Sequence, residues 1–214
     1  MIYRLYEWII LSGIEVLPAY LCFLITEDDL RAAPDKLNEV VGWCKEVNQR
    51  MSDRRARSSD SDREEAIREV TFHISTPYPE SILPLLPSLK AVSRHARLTL
   101  HLADHSESAG EGLEVEIAVG KSGRDEIVTC IRTMAEEGLS PEEIDEKTFE
   151  RYLTFRYTPD LVIKTGGYHL TDFLIWQSVY SELFFSDVNW NLFRKIDFFR
   201  ALRDYQARVR KFGK

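Results

Sequence analysis

Charged side chains follow several predicted buried strands of this 214-residue chain. The acidic run Glu27-Asp28-Asp29 comes shortly after the apolar run 20–25, and Lys164 directly follows the apolar run 160–163. Carboxylate oxygens can hold a hard cation, whereas a lysine ammonium can bind an anion. These residue types predict a site for charged groups where the two strands end.

The elements that must position these residues alternate along most of the chain. Strands are predicted at 20–25, 70–74, 97–102, 113–119, 160–163 and 188–190. Helices are predicted at 1–12, 35–49, 123–137, 172–184 and 196–209, with a partly helical connection at 81–93. The polar segments 51–63 and 103–112 are predicted to be a mobile loop and a turn region. This order predicts an α/β fold, with residues 1–214 forming one domain around a mostly parallel β-sheet flanked by helices.

In such sheets ligands bind beyond the carboxyl ends of the strands. The loops after Ile25, Ile74, Val119 and Ile163 are therefore the expected location of the chemistry.

Composition narrows the class of protein. The net charge of −7 argues against nucleic-acid binding, which needs a basic surface. The three cysteines, Cys22, Cys44 and Cys130, are far apart in apolar surroundings, which predicts buried thiols and an intracellular, cytoplasmic protein. No signal peptide is recognisable, and Gly13, Glu15 and Pro18 interrupt the longest apolar stretch. The amphipathic segment 1–12 has two interpretations: docking on the protein itself, or contact with a membrane or partner.

The clearest pattern lies in the C-terminal half. Pro159–Gly167 reads PDLVIKTGG and Leu170–Gln177 reads LTDFLIWQ, followed by Tyr180, the run Glu182-Leu183-Phe184-Phe185 and Trp190. This order resembles P-D-L-x-I-R-T-[SG]-G-E-x-R-L-S-[ND]-F-L-x-W-Q-x-x-Y-x-E-x-x-F, a motif of the cis-prenyltransferases. That family includes undecaprenyl diphosphate synthase and dehydrodolichyl diphosphate synthase.

Further segments extend the resemblance from about Pro18 to the end. Ala118–Ile127 (AVGKSGRDEI) is similar to the family's A-x-N-Y-G-G-R-x-E-I, and Val70–Thr76 (VTFHIST) is similar to its V-T-x-Y-x-F-S-T-E-N strand. The opening Tyr3–Glu7 (YRLYE) resembles archaeal and eukaryotic-like members, which favours a dolichol-type pathway. The resemblance implies synthesis of a long polyprenyl diphosphate, a glycosyl carrier lipid precursor, from isopentenyl and allylic diphosphates with Mg²⁺.

The family's catalytic stretch is altered here. Active members keep an Asp, tied to the metal and the diphosphate, in H-x-x-x-x-x-D-G-N-R-R after the first strand. Aligning Pro18–Ile25 with the family's P-x-H-x-A-x-I-M places Thr26 at that Asp and the acids 27–29 at G-N-R. A threonine is neutral and cannot replace a carboxylate as a cation ligand, and three acids would repel a diphosphate.

The diphosphate-binding loop is altered as well. Lys164 stands at the first Arg of the family motif, which keeps the charge and loses the bidentate fork. Either His169 replaces the second Arg or that Arg is deleted, and Thr171 stands at the Ser. Glu182 is retained; the resemblance implies a metal-linked role, with a surface or inter-subunit ion pair as the alternative.

Cis-prenyltransferases work as dimers, and heteromeric ones contain a Nogo-B receptor-like subunit that lacks the catalytic loop. That subunit lends its C-terminal R-x-G motif to the partner's active site. Here Lys211-Phe212-Gly213 occupies the position of that motif. The resemblance therefore implies a non-catalytic subunit in which Lys164, His169, Thr171, Lys211 and Gly213 contact diphosphate, while the partner holds most of the Mg²⁺.

The dimer face is expected at 172–185 with neighbouring aromatics such as Trp176, Phe184 and Trp190, and plain core packing is the alternative for some of these side chains. The implied partners are a catalytic cis-prenyltransferase subunit and isoprenoid diphosphates, with a peripheral membrane contact as an additional hypothesis. Two alternatives remain open: an atypical self-sufficient prenyltransferase whose acids 27–29 hold the metal, and a polyprenyl-lipid-binding scaffold.

Overall fold

The computed structural model describes residues 2–57, 66–102, 105–120, 122–153, 158–167, 170 and 174–212, with backbone alone at 2–5 and 209–212. Within these residues one sheet has the strand order β4-β3-β5-β2-β1-β6-β7. The strands are β1 (Tyr20–Thr26), β2 (Glu69–Ser75), β3 (Arg97–Leu102), β4 (His105–Ala109), β5 (Glu114–Val119), β6 (Leu161–Thr165) and β7 (Glu182–Ser186).

The α-helices are α1 (Ile2–Ser12), α2 (Glu27–Ala32), α3 (Lys36–Arg55), α4 (Leu86–Lys90), α5 (Gly123–Glu136), α6 (Glu146–Tyr152) and α7 (Lys195–Phe212). Short 3₁₀ segments occur at Pro79–Leu85, Ala91–Arg94, Pro141–Glu143 and Trp190–Leu192. Every described strand pair is parallel except β3 with β4. The predicted α/β fold with a mostly parallel sheet and flanking helices is confirmed.

The main core lies on one face of the sheet and is rich in aromatic rings. Phe23 stacks on Phe72 with ring centroids 5.4 Å apart, and Trp190, Phe193 and Phe198 surround Phe23 at 6.0–6.2 Å. The other face carries a smaller cluster made of Cys22, Leu24, Ala118, Val162 and Leu174. Apolar side chains therefore cover both faces of β1, which explains its continuous apolar sequence.

The three cysteines are free and buried, as predicted. Burial raises the pKa of Cys22 to about 12 and also raises the pKa values of Cys44 and Cys130. Such thiols stay protonated at neutral pH and do not act as nucleophiles.

The helix predicted at 172–184 is wrong over the described residues 174–184, and 172 and 173 lie outside the described part. Residues 175–180 form turns, and 182–186 form β7, which pairs with β6 from Leu161 opposite Glu182 to Thr165 opposite Ser186. A short apolar run suits a helix or a buried strand equally, and the free edge of β6 decided between them. The strand predicted at 188–190 is also wrong, because Trp190 begins a 3₁₀ turn that buries its ring.

Two segments predicted to be irregular contain regular structure. In 103–112 the structure has β4, whose five residues are all exposed, so no apolar alternation marks it in the sequence. In 51–63 helix α3 continues to Arg55, because Met51 is buried and Arg54 donates to the carbonyls of Leu11 and Ile14 at 2.9 and 2.8 Å. Residues 58–65 lie outside the described part of the chain, as do 103 and 104.

Glu69, at the start of β2, generates a pH-dependent prediction. It is 6% exposed, and burial together with the Glu116 carboxylate raises its pKa from 4.5 to about 8. Between these pH values the folded chain keeps a proton that the unfolded chain has released. The contribution of Glu69 to stability is therefore lost as the pH rises from about 4.5 to 8. We expect Glu69→Gln to reduce this fall, by at most about 1.4 kcal/mol per pH unit.

Urea unfolding at pH 5 and pH 8 measures this effect. The exposed Glu111→Gln serves as the control because its carboxylate is not buried. An unchanged pH slope in Glu69→Gln would show that Glu69 ionises normally in the folded chain.

Candidate functional site

The carboxyl ends of the central strands meet at one edge of the sheet. Thr26 at the end of β1 lies opposite Ser75, and Leu24 lies opposite Lys164 in β6. On the other side of β2, Ile74 lies opposite Val119. Four loops that the sequence predicted as the location of the chemistry therefore begin at this edge.

Thr26 caps helix α2. Its hydroxyl accepts the backbone N–H of Asp29 at 3.2 Å and donates to Asp29 Oδ2 at 2.8 Å, while the backbone N–H of Thr26 donates to the same oxygen at 3.0 Å. This reciprocal pair is a capping box, which satisfies backbone donors at a helix start. Thr26, which we predicted from the motif to stand at the family's catalytic position, thus supports the local fold, and the Asp29 carboxylate is bonded to it.

The Glu27 carboxylate accepts hydrogen bonds from two nearby side chains. The Thr76 hydroxyl donates to its carboxylate, and Arg31 donates to Glu27 Oε1 from Nη2 at 2.7 Å and from Nε at 2.8 Å. Arg31 also donates to the carbonyl of Ser81 at 2.6 Å. The hydrogen bond from the Thr76 hydroxyl is the largest of several interactions, the Arg31 guanidinium among them, that lower the pKa of Glu27 to about 2, so this carboxylate is negative at neutral pH.

Lys164 is oriented inward. It is 9% exposed, and its Nζ donates to the carbonyl of Thr165 at 2.6 Å. Burial lowers the pKa of Lys164, while the Asp29 carboxylate opposes that decrease. The Thr165 hydroxyl is buried and has no hydrogen-bond partner among the described residues.

Gly166 and Gly167 continue the loop with φ of +71° and +130°, in the region that glycine adopts without a Cβ clash. The N–H of Gly166 lies 3.0 Å from the carbonyls of both Ser186 and Val188, and the N–H of Gly167 lies 3.5 Å from that of Ser186. These two amides are thus bonded to the end of β7 and, for Gly166, also to Val188 just after it.

Several predicted site residues lie outside the described part. His169, Thr171 and Gly213 are not described, and Lys211 is described only by its backbone in the last turn of α7. Their predicted contacts with diphosphate stay predictions.

Glu182 does not lie at the edge of the sheet where the four loops begin. It begins β7 opposite Leu161, whereas Lys164 lies three residues further along β6, so the two residues are separated by about 10 Å along the strand direction. Its Oε2 accepts from Arg208 Nη1 at 3.1 Å, so an ion pair within the chain occupies it.

The described residues of this chain's own site do not form a Mg²⁺ site. Among them no group of three carboxylate, histidine or cysteine side chains is placed to hold a metal ion. Glu27, Asp29 and Glu182 each face a donor of the chain, and Glu182 lies away from the other two, so the three do not converge on one position where Mg²⁺ could collect several oxygen ligands.

Two polar contacts, one buried and one partly buried, connect segments of the motifs and were not predicted. Gln177 Nε2 donates to Glu126 Oε2 at 2.8 Å, which fixes the turn segment 175–180 against α5. Asp160 Oδ2 accepts the N–H groups of Ala19 and Tyr20 at 2.7 and 2.9 Å, which joins the starts of β6 and β1. The sequence marks these residues only through their places in the motifs, because their partners are distant along the chain.

The predicted dimer face is partly corrected. Trp190 is fully buried in the main core, so it cannot form a contact surface. Trp176 packs on Phe149, with ring centroids 4.5 Å apart, in a satellite cluster beside α5. Several large apolar side chains near that cluster are exposed instead, and we call them the apolar patch: Val128, Ile131, Ile175, Val179 and Tyr180.

Within the described residues, no helix has both the length and the apolar character that crossing a bilayer requires. The outer side of α1 nevertheless carries exposed apolar groups. Trp8 and Ile9 are 57% and 51% exposed, and the next two residues, Ile10 and Leu11, are buried in the main core.

Known proteins resemble this chain in sequence and in fold. A family profile described as "Putative undecaprenyl diphosphate synthase" matches residues 82–213. The chain is 32% identical over 200 residues to a tritrans,polycis-undecaprenyl-diphosphate synthase (geranylgeranyl-diphosphate specific) of Thermoplasma acidophilum, covering 84% of this chain and 78% of that protein. It is 30% identical over 220 residues to a (2Z,6E)-farnesyl diphosphate synthase of Mycolicibacterium smegmatis, covering 97% and 74%.

Two solved structures share the fold. A lavandulyl diphosphate synthase from Lavandula x intermedia aligns with a TM-score of 0.64 at 20% identity, covering 94% of this chain and all of that one. A probable undecaprenyl diphosphate synthase from Campylobacter jejuni aligns with a TM-score of 0.60 at 18% identity, with the same coverage. The sequence relatives come from both archaea and bacteria, so they do not assign this chain to either group. The chain belongs to the cis-prenyltransferase family of undecaprenyl diphosphate synthases.

Proposed function

We propose that this chain is the non-catalytic subunit of a heteromeric cis-prenyltransferase. The complex makes a long polyprenyl diphosphate, a glycosyl carrier lipid precursor of the dolichol type, from isopentenyl diphosphate and an allylic diphosphate. The observation that carries the proposal is the capping box between Thr26 and Asp29 at the family's catalytic position. The names of the relatives, an undecaprenyl-diphosphate synthase and a farnesyl diphosphate synthase, support the class of reaction, and the first supports a long product.

Electrostatics explain why the loop after β1 is a poor diphosphate site. A diphosphate needs N–H donors and positive charge. Thr26 and Asp29 bond each other at the start of α2, and Glu27 stays ionised with a pKa of about 2. Asp28 adds an exposed carboxylate at the same helix start. The loop therefore offers carboxylates where the substrate's own negative charge would lie.

The fourth loop supports the same proposal. Lys164 bonds a backbone carbonyl of its own loop, and the amides of Gly166 and Gly167 bond the end of β7, with Gly166 also bonding Val188. Binding a diphosphate here would require breaking these contacts. In the proposed complex the partner supplies the catalytic Asp, the arginine-rich loop and most of the Mg²⁺ ligands.

This chain then contributes an attachment surface and its C-terminal segment to the complex. The apolar patch offers an attachment surface for the partner, and the segment 211–214 lends Lys211 and Gly213 to the partner's diphosphate site. Exposed apolar groups that lie together are typical of protein interfaces, since leaving them in water is unfavourable.

Polyprenyl synthesis with and without the partner tests the proposal. The partner is a family member from the same genome that keeps the D-G-N-R-R loop. We expect no incorporation of labelled isopentenyl diphosphate by this chain alone, and activity of the co-expressed pair at least tenfold above that of the partner alone. An inactive Thr26→Asp variant of the isolated chain would agree, since Asp29 and Glu27 remain in the loop.

The alternatives predict different outcomes. Robust turnover by the isolated chain would establish a self-sufficient enzyme and overturn the proposal. Binding of polyprenyl lipid without stimulation of any partner would indicate a scaffold and would overturn it too.

The apolar patch yields a second prediction. Val179 is 65% exposed, and a carboxylate there would be buried without a partner in the complex. We expect Val179→Asp to weaken association with the catalytic subunit at least tenfold by analytical ultracentrifugation, with unchanged thermal stability of the isolated chain. Leu83→Asp, at a 51% exposed position in the 3₁₀ segment after β2, is the matched control. Equal affinities of the two variants would place the interface elsewhere.

Helix α1 supports a peripheral membrane contact as part of the same proposal. Indole and aliphatic side chains on the exposed side of an amphipathic helix partition into the lipid interface. We expect the chain to sediment with vesicles of phosphatidylcholine and phosphatidylglycerol, and Trp8→Ser combined with Ile9→Ser to abolish sedimentation. Leu83→Ser controls for general loss of exposed apolar area. Equal sedimentation of the two variants would show that α1 does not contact the bilayer.

A further inference from the structure

Glu182 forms its contact with the C-terminal helix. The guanidinium of Arg208 donates from Nη1 to Glu182 Oε2 at 3.1 Å, and its Nε lies 2.8 Å from Asp204 Oδ2. Asp204 is one helical turn before Arg208, so this pair holds the guanidinium in place on α7. Since Arg208 is already ordered by Asp204, the contact with Glu182 loses less side-chain entropy than an isolated ion pair would.

The position of Arg208 gives this contact its consequence. Helix α7 packs on the core through Phe198, Phe199 and Leu202, and Gln206 donates to the carbonyl of Gly13 at 2.9 Å. Beyond Gln206 the helix continues to Phe212. Among the described side chains, Arg208 is the last that joins α7 to the sheet, and it does so one turn before the Lys-x-Gly tail.

We propose that Glu182 is a positioning residue for the C-terminal tail and not a metal ligand. By holding Arg208 it sets the direction in which α7 delivers residues 211–214 to the partner's diphosphate site. This inference rests on the proposed function, because the tail has a task only if the complex forms. It also explains why a carboxylate is retained in a chain whose own loops do not fit Mg²⁺.

The size of the effect on activity distinguishes a positioning residue from a metal ligand. Side chains of Glu182 and Arg208 are 30% and 41% exposed, and such pairs contribute modestly, so the expected effect of removing one partner is about two- to fivefold. A metal ligand at a reaction centre would instead give a much larger loss and a changed Mg²⁺ requirement.

The experiment measures epistasis in the complex with the catalytic subunit. Glu182→Gln, Arg208→Met and a truncation after Arg210 are compared singly and in pairs. We expect Glu182→Gln and Arg208→Met each to raise the KM for isopentenyl diphosphate about two- to fivefold, without changing the subunit dissociation constant or the Mg²⁺ dependence. In the truncated chain neither substitution should have a further effect, because the tail that they position is absent.

Glu107→Gln is the matched control, since Glu107 forms an ion pair of similar exposure with Lys90 at 2.7 Å. Glu107 lies in β4, at the opposite edge of the sheet from β7. The control should leave the KM for isopentenyl diphosphate, the subunit dissociation constant and the Mg²⁺ dependence unchanged. Glu182→Asp keeps the charge, so its KM should lie between that of Glu182→Gln and that of the unmodified complex.

Other results would overturn the inference and leave the proposed function standing. These are losses that multiply between Glu182→Gln and the truncation, a shifted Mg²⁺ requirement in Glu182→Gln alone, or a truncation without effect on a complex that is otherwise stimulated. If the unmodified chain fails to stimulate the partner at all, the proposed function itself fails, and the inference with it.

Discussion

The parallel pairing of β1 with β2 on one side and with β6 on the other is the constraint on which the rest of the structure depends. Parallel strands place all their carboxyl ends at the same edge, so three loops that are distant in sequence become neighbours. Covering both faces of these strands requires helices and an apolar sequence. The aromatic cluster around Phe23 meets that requirement on one face, and it uses Trp190 for packing.

At that edge most of the charged groups already have partners within the chain, while the buried Thr165 hydroxyl has none among the described residues. Thr26 and Asp29 bond each other, Glu27 accepts from Thr76 and Arg31, and Lys164 donates to the carbonyl of Thr165. An N-terminal cap contributes about 0.5–2 kcal/mol to stability, and the capping box provides it with the residues that stand at the family's catalytic stretch. Polar groups that bind substrate must stay available to it, so groups that stabilise their own loop are poorly suited to that task.

The remaining surfaces follow from the same topology. Helix α5 follows β5, and the buried contact between Glu126 and Gln177 joins it to the turn before β7. That contact holds the turn segment, which carries the exposed Val179 and Tyr180, against α5, which carries the exposed Val128 and Ile131. On the same edge strand Glu182 contacts Arg208, which connects β7 to the end of α7. The proposed attachment surface and the proposed tail are therefore both held by β7 and the turn before it.

By itself, the sequence determined the family, the alternating order of strands and helices, the buried cysteines and the absence of an acid at position 26. These properties depend on local pattern, composition and motif order, which need no knowledge of distant contacts. Only the tertiary structure decided that 182–186 form a strand, because the free edge of β6 was required to select it. It alone decided that Trp190 is core, and that Glu27 accepts from Thr76 and Glu182 from Arg208, since these partners are remote along the chain. The pair of Thr26 and Asp29 is local, three residues apart, as in other capping boxes.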